Sequence, residues 1–395
     1  MKNKKIIFIG QQDWDNEVGS NAINIAQILS KNNEVIYVNN ALDRKTLKNK
    51  ANDPKILKKK RILEGKEADI VEINQQLKIF YPKTILESIN WLPVGFVYNI
   101  LNNLNNKRLA NEINRIVKKH NWNDYYIFND CLISKTLYFK KYLTYTKYFY
   151  YIRDNFKPIP YFQKHAIAEQ EKIMSYADAV FANSQFLADY AQKFNPKSFN
   201  IGQGCELDLY LKDNIEIADD IKNIKSPILG YTGYLTSMRL DIDLMVYIAK
   251  SKPDWNIVLV GPEDDKFKNS DLHKLSNVHF LGQKQPETMP NFIKAFDVCM
   301  NPQLINELTI GNYPRKIDEY LAMGKPTVAT HTPFMDYFAD ATYLAKNKEE
   351  YISQIELAIA ENNDFLVQKR IATAKDHSWE SNVEKIYQII NQENL

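Results

Sequence analysis

Gly311-Asn312-Tyr313-Pro314-Arg315-Lys316-Ile317-Asp318-Glu319-Tyr320-Leu321-Ala322-Met323-Gly324-Lys325-Pro326-Thr327-Val328 is the densest run of structural signals in the chain. Gly311-Asn312 reads as a flexible loop. Pro314 falls just before or at a first helical turn, where a missing N–H costs little. Lys316–Met323 reads as a helix, Gly324 as its C-cap, and Pro326 as the stop before a buried strand at Thr327–Thr330. Free N–H groups at the helix start favour an anion, and Arg315 and Lys316 add positive charge there. Glu319 lies one turn in, where a carboxylate can accept two hydroxyl hydrogen bonds from a sugar ring. The run therefore fits either a helix that holds a phosphate-bearing ligand or an ordinary strand–helix–strand connection with surface charges.

The same alternation extends in both directions. Towards the start, Ile6–Ile9, Asn21–Ser30 and Val35–Val38 read as strand, helix and strand, the rhythm of a parallel sheet. Lys78–Tyr81, Tyr125–Asn129, Tyr148–Ile152, Ala179–Asn183 and Phe199–Ile201 read as further strands, with helices at Arg108–Lys119 and Glu169–Tyr176. Residues 211–227 are polar and end in Pro227, as a linker would. The rhythm restarts at Ile228–Tyr231 and continues through Trp255–Val260, Val278–Leu281, Val298–Asn301 and Ala341–Leu344, then closes with helices at 349–361 and 365–390. Two consecutive αβ units follow: an N-terminal domain over 1–210 and a C-terminal domain over 228–370. A terminal helix at 371–395 is expected to pack back toward the first. In open α/β sheets, ligands bind at the carboxyl ends of the strands, so two such units facing each other imply a cleft between domains.

Composition narrows the class. The 395 residues are 45% hydrophobic and 25% charged, enough for two cores and inconsistent with global disorder. Twelve glycines exclude collagen-like and linker-like architectures. Cys131, Cys205 and Cys299 are scattered, which argues against a disulfide scaffold or structural zinc and for a reducing, cytoplasmic setting. The apolar run Ile6–Ile9 stops at Gly10, so it reads as a strand and not a signal-peptide core. No stretch approaches the ~20 apolar residues that span a bilayer. Net charge is +3, yet residues 1–200 hold 31 Lys/Arg against 19 Asp/Glu while the remainder holds 20 against 29. Two domains of opposite charge imply different partners for each.

From Glu319 the run resembles the signature of GT-B glycosyltransferases, the family 4 group in particular, in which a loop and helix end in Glu-x-x-Ala-x-Gly-x-Pro-Val. Other pieces agree in order. Ala177-Asp178-Ala179-Val180-Phe181-Ala182-Asn183-Ser184 is similar to the family's "aD-x-v-x-x-x-S" strand. Ile228-Leu229-Gly230-Tyr231-Thr232-Gly233 resembles the strand and turn that open the donor domain. Val260-Gly261, Val278–Gly282, Ala295–Val298 and Ser378-Trp379 match further motifs. The resemblance implies a GT-B fold of two Rossmann-like domains. It also implies transfer of a sugar from a nucleotide-diphosphosugar with retention of configuration, without a metal or cofactor. The C-terminal domain would take the donor and the N-terminal domain the acceptor. Carried over by position, Glu319 would bond the donor ribose, the loop 311–316 (Gly311, Asn312, Tyr313, Arg315, Lys316) would meet sugar and diphosphate, and Gly282 and Gln283 would lie near the base. The chain departs from the family's Glu-x7-Glu motif, since Gly311 stands at the first position and Glu307 is the nearest upstream acid. Gly233 is followed by Tyr234, so diphosphate neutralisation falls to Arg239, Arg315 and Lys316.

In the first half, Arg153-Asp154 follows an aromatic strand and points toward the expected cleft, with Asp154 a candidate base and a structural salt bridge the plainer alternative. Gly19 lies in the first strand–helix loop, where the family has a glycine-rich turn. Residues 44–66 contain ten Lys/Arg and two acids, and Ile85–Leu101 carries Trp91. Together they suit an anionic membrane surface, expected at the inner face of the cell membrane. Nucleic acid is not expected, because stacking aromatics are not interleaved with the bases. The chain is thus expected to be a glycosyltransferase of cell-surface polysaccharide or glycolipid assembly acting on a saccharide or lipid-linked acceptor. A nucleotide-sugar epimerase and a non-catalytic sugar-nucleotide-binding scaffold on the same fold are the rivals.

Overall fold

A computed structural model describes residues 2–15, 20–307, 309–310 and 313–395. The chain divides into two compact units, one of Met1–Gly202 with Asn382–Leu395 and the other of Gln203–Ser381.

The strands in chain order are β1 Lys5–Gly10, β2 Glu34–Val38, β3 Leu42–Asp43, β4 Ile70–Asn74, β5 Leu77–Phe80, β6 Ile85–Leu86, β7 Tyr126–Asp130, β8 Lys147–Ile152, β9 Ala179–Ala182 and β10 Ser198–Asn200 in the first unit. The second unit has β11 Ile228–Thr232, β12 Asn256–Val260, β13 Val278–Gly282, β14 Val298–Asn301, β15 Thr327–Thr330 and β16 Tyr343–Ala345. The first unit's main sheet runs β10-β9-β8-β7-β1-β2-β5-β4, and the second unit's runs β13-β12-β11-β14-β15-β16. Strand order reverses between β1 and β7 in one sheet and between β11 and β14 in the other. Crevices open at the carboxyl ends of such reversals.

The strands are near-continuous apolar runs because helices cover both faces. Ile6, Ile7, Phe8 and Ile9 are all at or below 1% exposure. On one face the rings of Phe8, Phe128 and Phe181 stack in a row, 5.0 and 6.2 Å apart between centroids. Gly230 in mid-β11 lets the Phe296 ring lie against the backbone, where a Cβ would stand 2.1 Å from it.

Two sequence expectations are corrected in detail. The first sheet is not wholly parallel: β4 pairs antiparallel with β5. The cause is a tight turn in which the Asn74 carboxamide oxygen accepts from the N–H groups of Gln76 and Leu77, both at 2.9 Å. The lysine-rich segment forms helices Arg44–Asn49 and Pro54–Leu63, each capped by an aspartate, Asp43 and Asp53. The expected helix over 365–390 is two, Asp364–Asp376 and Trp379–Gln392. The break comes where the His377 carbonyl accepts from the Cys205 N–H at 2.9 Å, and Ser378 Oγ then accepts from the Ser381 N–H at 3.2 Å. Among the described residues, no helix is long and apolar enough to cross a membrane.

Candidate functional site

In the second unit, chemistry gathers at the β11/β14 reversal. Gly233 follows β11 with φ +126°, and Gly261 follows β12 with φ +153°. The Gly233 N–H donates to the Val260 carbonyl at 2.8 Å. A Cβ on Gly261 would stand 1.9 Å from the Gly233 carbonyl oxygen, so both positions need glycine. Lys316, in the first turn of helix Arg315–Ala322, reaches over this pair. A Cβ on Gly233 would meet its Cε at 2.3 Å and its Nζ at 2.6 Å. The ammonium also lies 5.3 Å from the centre of the Tyr231 ring. One cation is thus held on a bare glycine turn beside a helix N-terminus, which suits an anionic group.

The rest of that helix is anchored inward. Tyr320 is fully buried and its hydroxyl accepts from the Thr232 N–H at 3.0 Å, tying the helix to β11. Asp318 is fully buried and accepts from the Tyr313 hydroxyl and from His377 Nδ1, both at 2.6 Å. Burial holds its carboxyl above the ordinary range, against the pull of those two bonds. Glu319 is partly buried. Burial raises its carboxyl too, opposed by Lys316, Arg315 and the neighbouring Tyr210 hydroxyl.

The expected site residues therefore separate by orientation. Lys316 lies over Gly233 at the end of β11, and Glu319 lies near Lys316, Arg315 and Tyr210. Tyr313 turns inward, its ring 5.4 Å from those of Phe334 and Phe338. Arg315 faces Cys205, Glu319 and Tyr210. Tyr234 and Arg239 are exposed on the loop after β11. That loop is bonded to the segment after β14: Leu304 N–H donates to the Arg239 carbonyl at 2.8 Å, and Asn306 Nδ2 to the Met238 carbonyl at 3.0 Å. Glu307 is exposed beside it. Gly282 and Gln283 are exposed at the end of β13, two strands from Gly233, with open space around Gly282. Gly19, Gly311 and Asn312 lie outside the described residues.

The first unit carries its own polar group, at the β1/β7 reversal. Arg153, just past β8, donates from Nε to Asp130 Oδ1 at 2.9 Å and approaches Asp154 at 3.7 Å. Asp130, the last residue of β7, is fully buried, and its Oδ2 has no hydrogen-bond partner among the described residues. Burial pushes that carboxyl up, and Arg153 pulls it down. Asp154 is half-exposed. Asp130 escaped the sequence reading, although an acid ending an apolar strand, Phe128-Asn129-Asp130, was a usable signal.

Residues 226–361 match the family described as Glycosyl transferases group 1. The matched stretch lies within the second unit. The chain is 27% identical over 183 residues to the putative teichuronic acid biosynthesis glycosyltransferase TuaH of Bacillus subtilis (strain 168), an alignment covering 44% of this chain and 45% of that protein. The chain thus matches less than half the length of that relative. Among solved structures it resembles sucrose-phosphate synthase from Thermosynechococcus elongatus, with a TM-score of 0.65, 15% identity and 99% of both chains covered. It also resembles Anabaena HepE in complex with UDP, with a TM-score of 0.64, 16% identity, and 98% and 100% covered. The fold is GT-B, as the sequence motifs implied.

Proposed function

We propose that the chain is a glycosyltransferase that moves a sugar from a nucleotide-diphosphosugar to a saccharide or glycolipid acceptor, with retention, in cell-surface polysaccharide assembly. The observation that carries the reading is Lys316 laid over the Gly233–Gly261 turn. Breaking a glycosidic bond to a diphosphate builds negative charge on the leaving oxygen. A fixed cation at a helix start stabilises that charge with little reorganisation. Glu319 then binds the ribose hydroxyls, and Arg239 adds charge from the neighbouring loop. The leaving phosphate itself takes the acceptor proton in a front-face displacement, so no protein nucleophile is required, unlike retaining glycosidases. Charge at the leaving group is met by Lys316 and backbone N–H groups, without a metal. The first unit takes the acceptor, with Arg153 and Asp154 at its strand ends as the groups that meet it.

The UDP complex of HepE makes UDP the first nucleotide to try, and the name of TuaH supports a polysaccharide acceptor. Calorimetric titration of the whole chain with UDP, GDP, ADP and their common sugar conjugates tests the reading. One nucleotide is expected to bind, and Glu319→Ala to weaken it at least tenfold without lowering the melting temperature. Two lost hydrogen bonds to a charged acceptor are worth about this much or more. Binding of no nucleotide, or unchanged affinity in Glu319→Ala, overturns the assignment.

A further inference from the structure

The helix Phe96–Lys119 is built inside out over its first three turns. Its inward positions are largely polar: Tyr98, Asn102, Asn105 and Asn106 are all buried. The Tyr98 hydroxyl and Asn102 Nδ2 both donate to Glu169 Oε1 at 2.9 Å. Asn105 Nδ2 donates to the Glu87 carbonyl at 2.9 Å, and Asn106 Nδ2 to the Ser134 carbonyl at 2.8 Å. Its outward positions are apolar, with Phe96, Val97, Ile100 and Leu104 exposed, Phe96 by 78%. A surface helix ordinarily has the reverse arrangement.

The preceding loop enlarges this face with Trp91 and Val94, exposed by 75% and 72%. It is firmly held. Trp91 Nε1 donates to the Ser88 carbonyl at 2.9 Å, Lys164 Nζ to the Trp91 carbonyl at 2.7 Å, and His165 Nε2 bonds the Leu92 carbonyl at 2.9 Å. Lys45 N–H donates to Ser88 Oγ at 2.9 Å, which brings helix Arg44–Asn49 to the same place. A contiguous exposed apolar face on a rigid base marks an interaction site.

The charge around the face has one sign. Residues 44–52, 88–111 and 155–168 contain no Asp or Glu. Lys45, Lys48, Lys50, Lys157 and Lys164 are exposed there. The six acids that flank these stretches are engaged: Asp43 accepts from Thr46 and Ser88, Asp53 accepts from the Lys55 N–H, Glu87 pairs with Arg44 and Arg108, Glu112 pairs with Arg115, Asp154 lies 3.7 Å from Arg153, and Glu169 is buried. The second half of the basic segment does not contribute in the same way, since Lys58, Lys59 and Arg61 are paired with Asp15, Asp13 and Glu67.

We propose that this face docks on a bilayer containing anionic lipid. Trp91, Val94, Phe96, Val97 and Ile100 enter the headgroup–acyl boundary, and the flanking lysines meet the phosphates. A second copy of the chain is a poor occupant, because a two-fold contact would set this basic rim against itself. The inference concerns the first unit alone and does not depend on which sugar, if any, the chain transfers.

The test is flotation of the full chain with phosphatidylcholine vesicles, with and without phosphatidylglycerol, in the absence of nucleotide. Binding is expected with phosphatidylglycerol, weakened by its omission and by added salt. Phe96→Ser/Ile100→Ser is expected to lower the partition coefficient roughly tenfold or more, since two apolar side chains leave the boundary. Both side chains are exposed, so the melting temperature should hold. Phe365→Ser, an equally exposed apolar residue of the second unit (76%), should leave partition unchanged. No binding to phosphatidylglycerol vesicles overturns the proposal, as does an equal loss in Phe365→Ser. An unchanged partition in Phe96→Ser/Ile100→Ser overturns it too, and if that variant also turned an oligomer into a monomer by sedimentation, the occupant would be a second copy.

Discussion

Replacing Gly233 by alanine puts the Lys316 contact to a direct test. The added Cβ would sit 2.3 Å from Lys316 Cε and 2.6 Å from Nζ, so the ammonium must swing away. The backbone at φ +126° would add strain of about 1–3 kcal/mol, which appears in stability. Losing a charge-assisted contact to phosphate costs about 1.5–3 kcal/mol, or about 10- to 150-fold in affinity. Lys316→Met should remove the same contact without the strain. If the Cβ acts through Lys316, the two losses in nucleotide affinity are not additive, and Gly233→Ala in the Lys316→Met background should cost little further binding. Calorimetry on the four proteins gives the cycle, and thermal melts report the strain separately. Gly261→Ala is the contrast. Its Cβ would meet the Gly233 carbonyl at 1.9 Å, a backbone atom that cannot swing aside, so it should lose stability in both backgrounds. Additive affinity losses, or an unchanged affinity in Lys316→Met, would refute the reasoning.

Two further outcomes concern the first unit. Burial holds the Glu169 carboxyl above its ordinary value, against hydrogen bonds from Ser134, Tyr98 and Asn102. An acid raised on folding binds its proton more tightly in the native state, so its favourable contribution is complete below the unfolded value near 4.5 and is lost as pH rises through the folded value. Glu169→Gln should therefore gain stability relative to the parent chain from acid to neutral pH, measured by urea unfolding; a gap independent of pH would contradict this. Arg153→Ala leaves Asp130 buried and unpaired, and should lose about 3–5 kcal/mol of stability. A melting temperature equal to that of the parent chain would show that the pair does not hold the strand ends.

The double αβ rhythm was legible because each strand is a short apolar run between breakers, as in Ile6–Gly10 and Ile228–Gly233. The glycines after β11 and β12 were legible too, since a close backbone approach leaves no other residue. Orientation was not. Tyr313, Arg315 and Lys316 are neighbours in sequence, yet only Lys316 lies over the Gly233 turn, while Tyr313 bonds Asp318 and Arg315 faces Cys205. Those directions follow from partners far along the chain, His377 for Asp318 and residues 205–210 for Arg315, which no local pattern reveals. The division within the basic segment was hidden for a related reason. Its lysines count alike in composition, but Lys58 and Lys59 of Pro54–Leu63 find Asp15 and Asp13 across the fold, and Lys45 and Lys48 of Arg44–Asn49 stay exposed beside the Trp91 loop.

The helix Phe96–Lys119 has a consequence for how the chain selects one structure. A helix with apolar residues on its outer face has a competing arrangement, rolled about its axis, that would hide Phe96 and Ile100 in the interior. Hydrophobicity alone would favour that arrangement. Rolling would strip Glu169 of the Tyr98 and Asn102 donors and leave a buried carboxylate with unfilled lone pairs, a penalty of several kcal/mol. The asparagines therefore act as a key that fits one rotation. They hold the apolar face outward and keep the chain from folding its own surface shut.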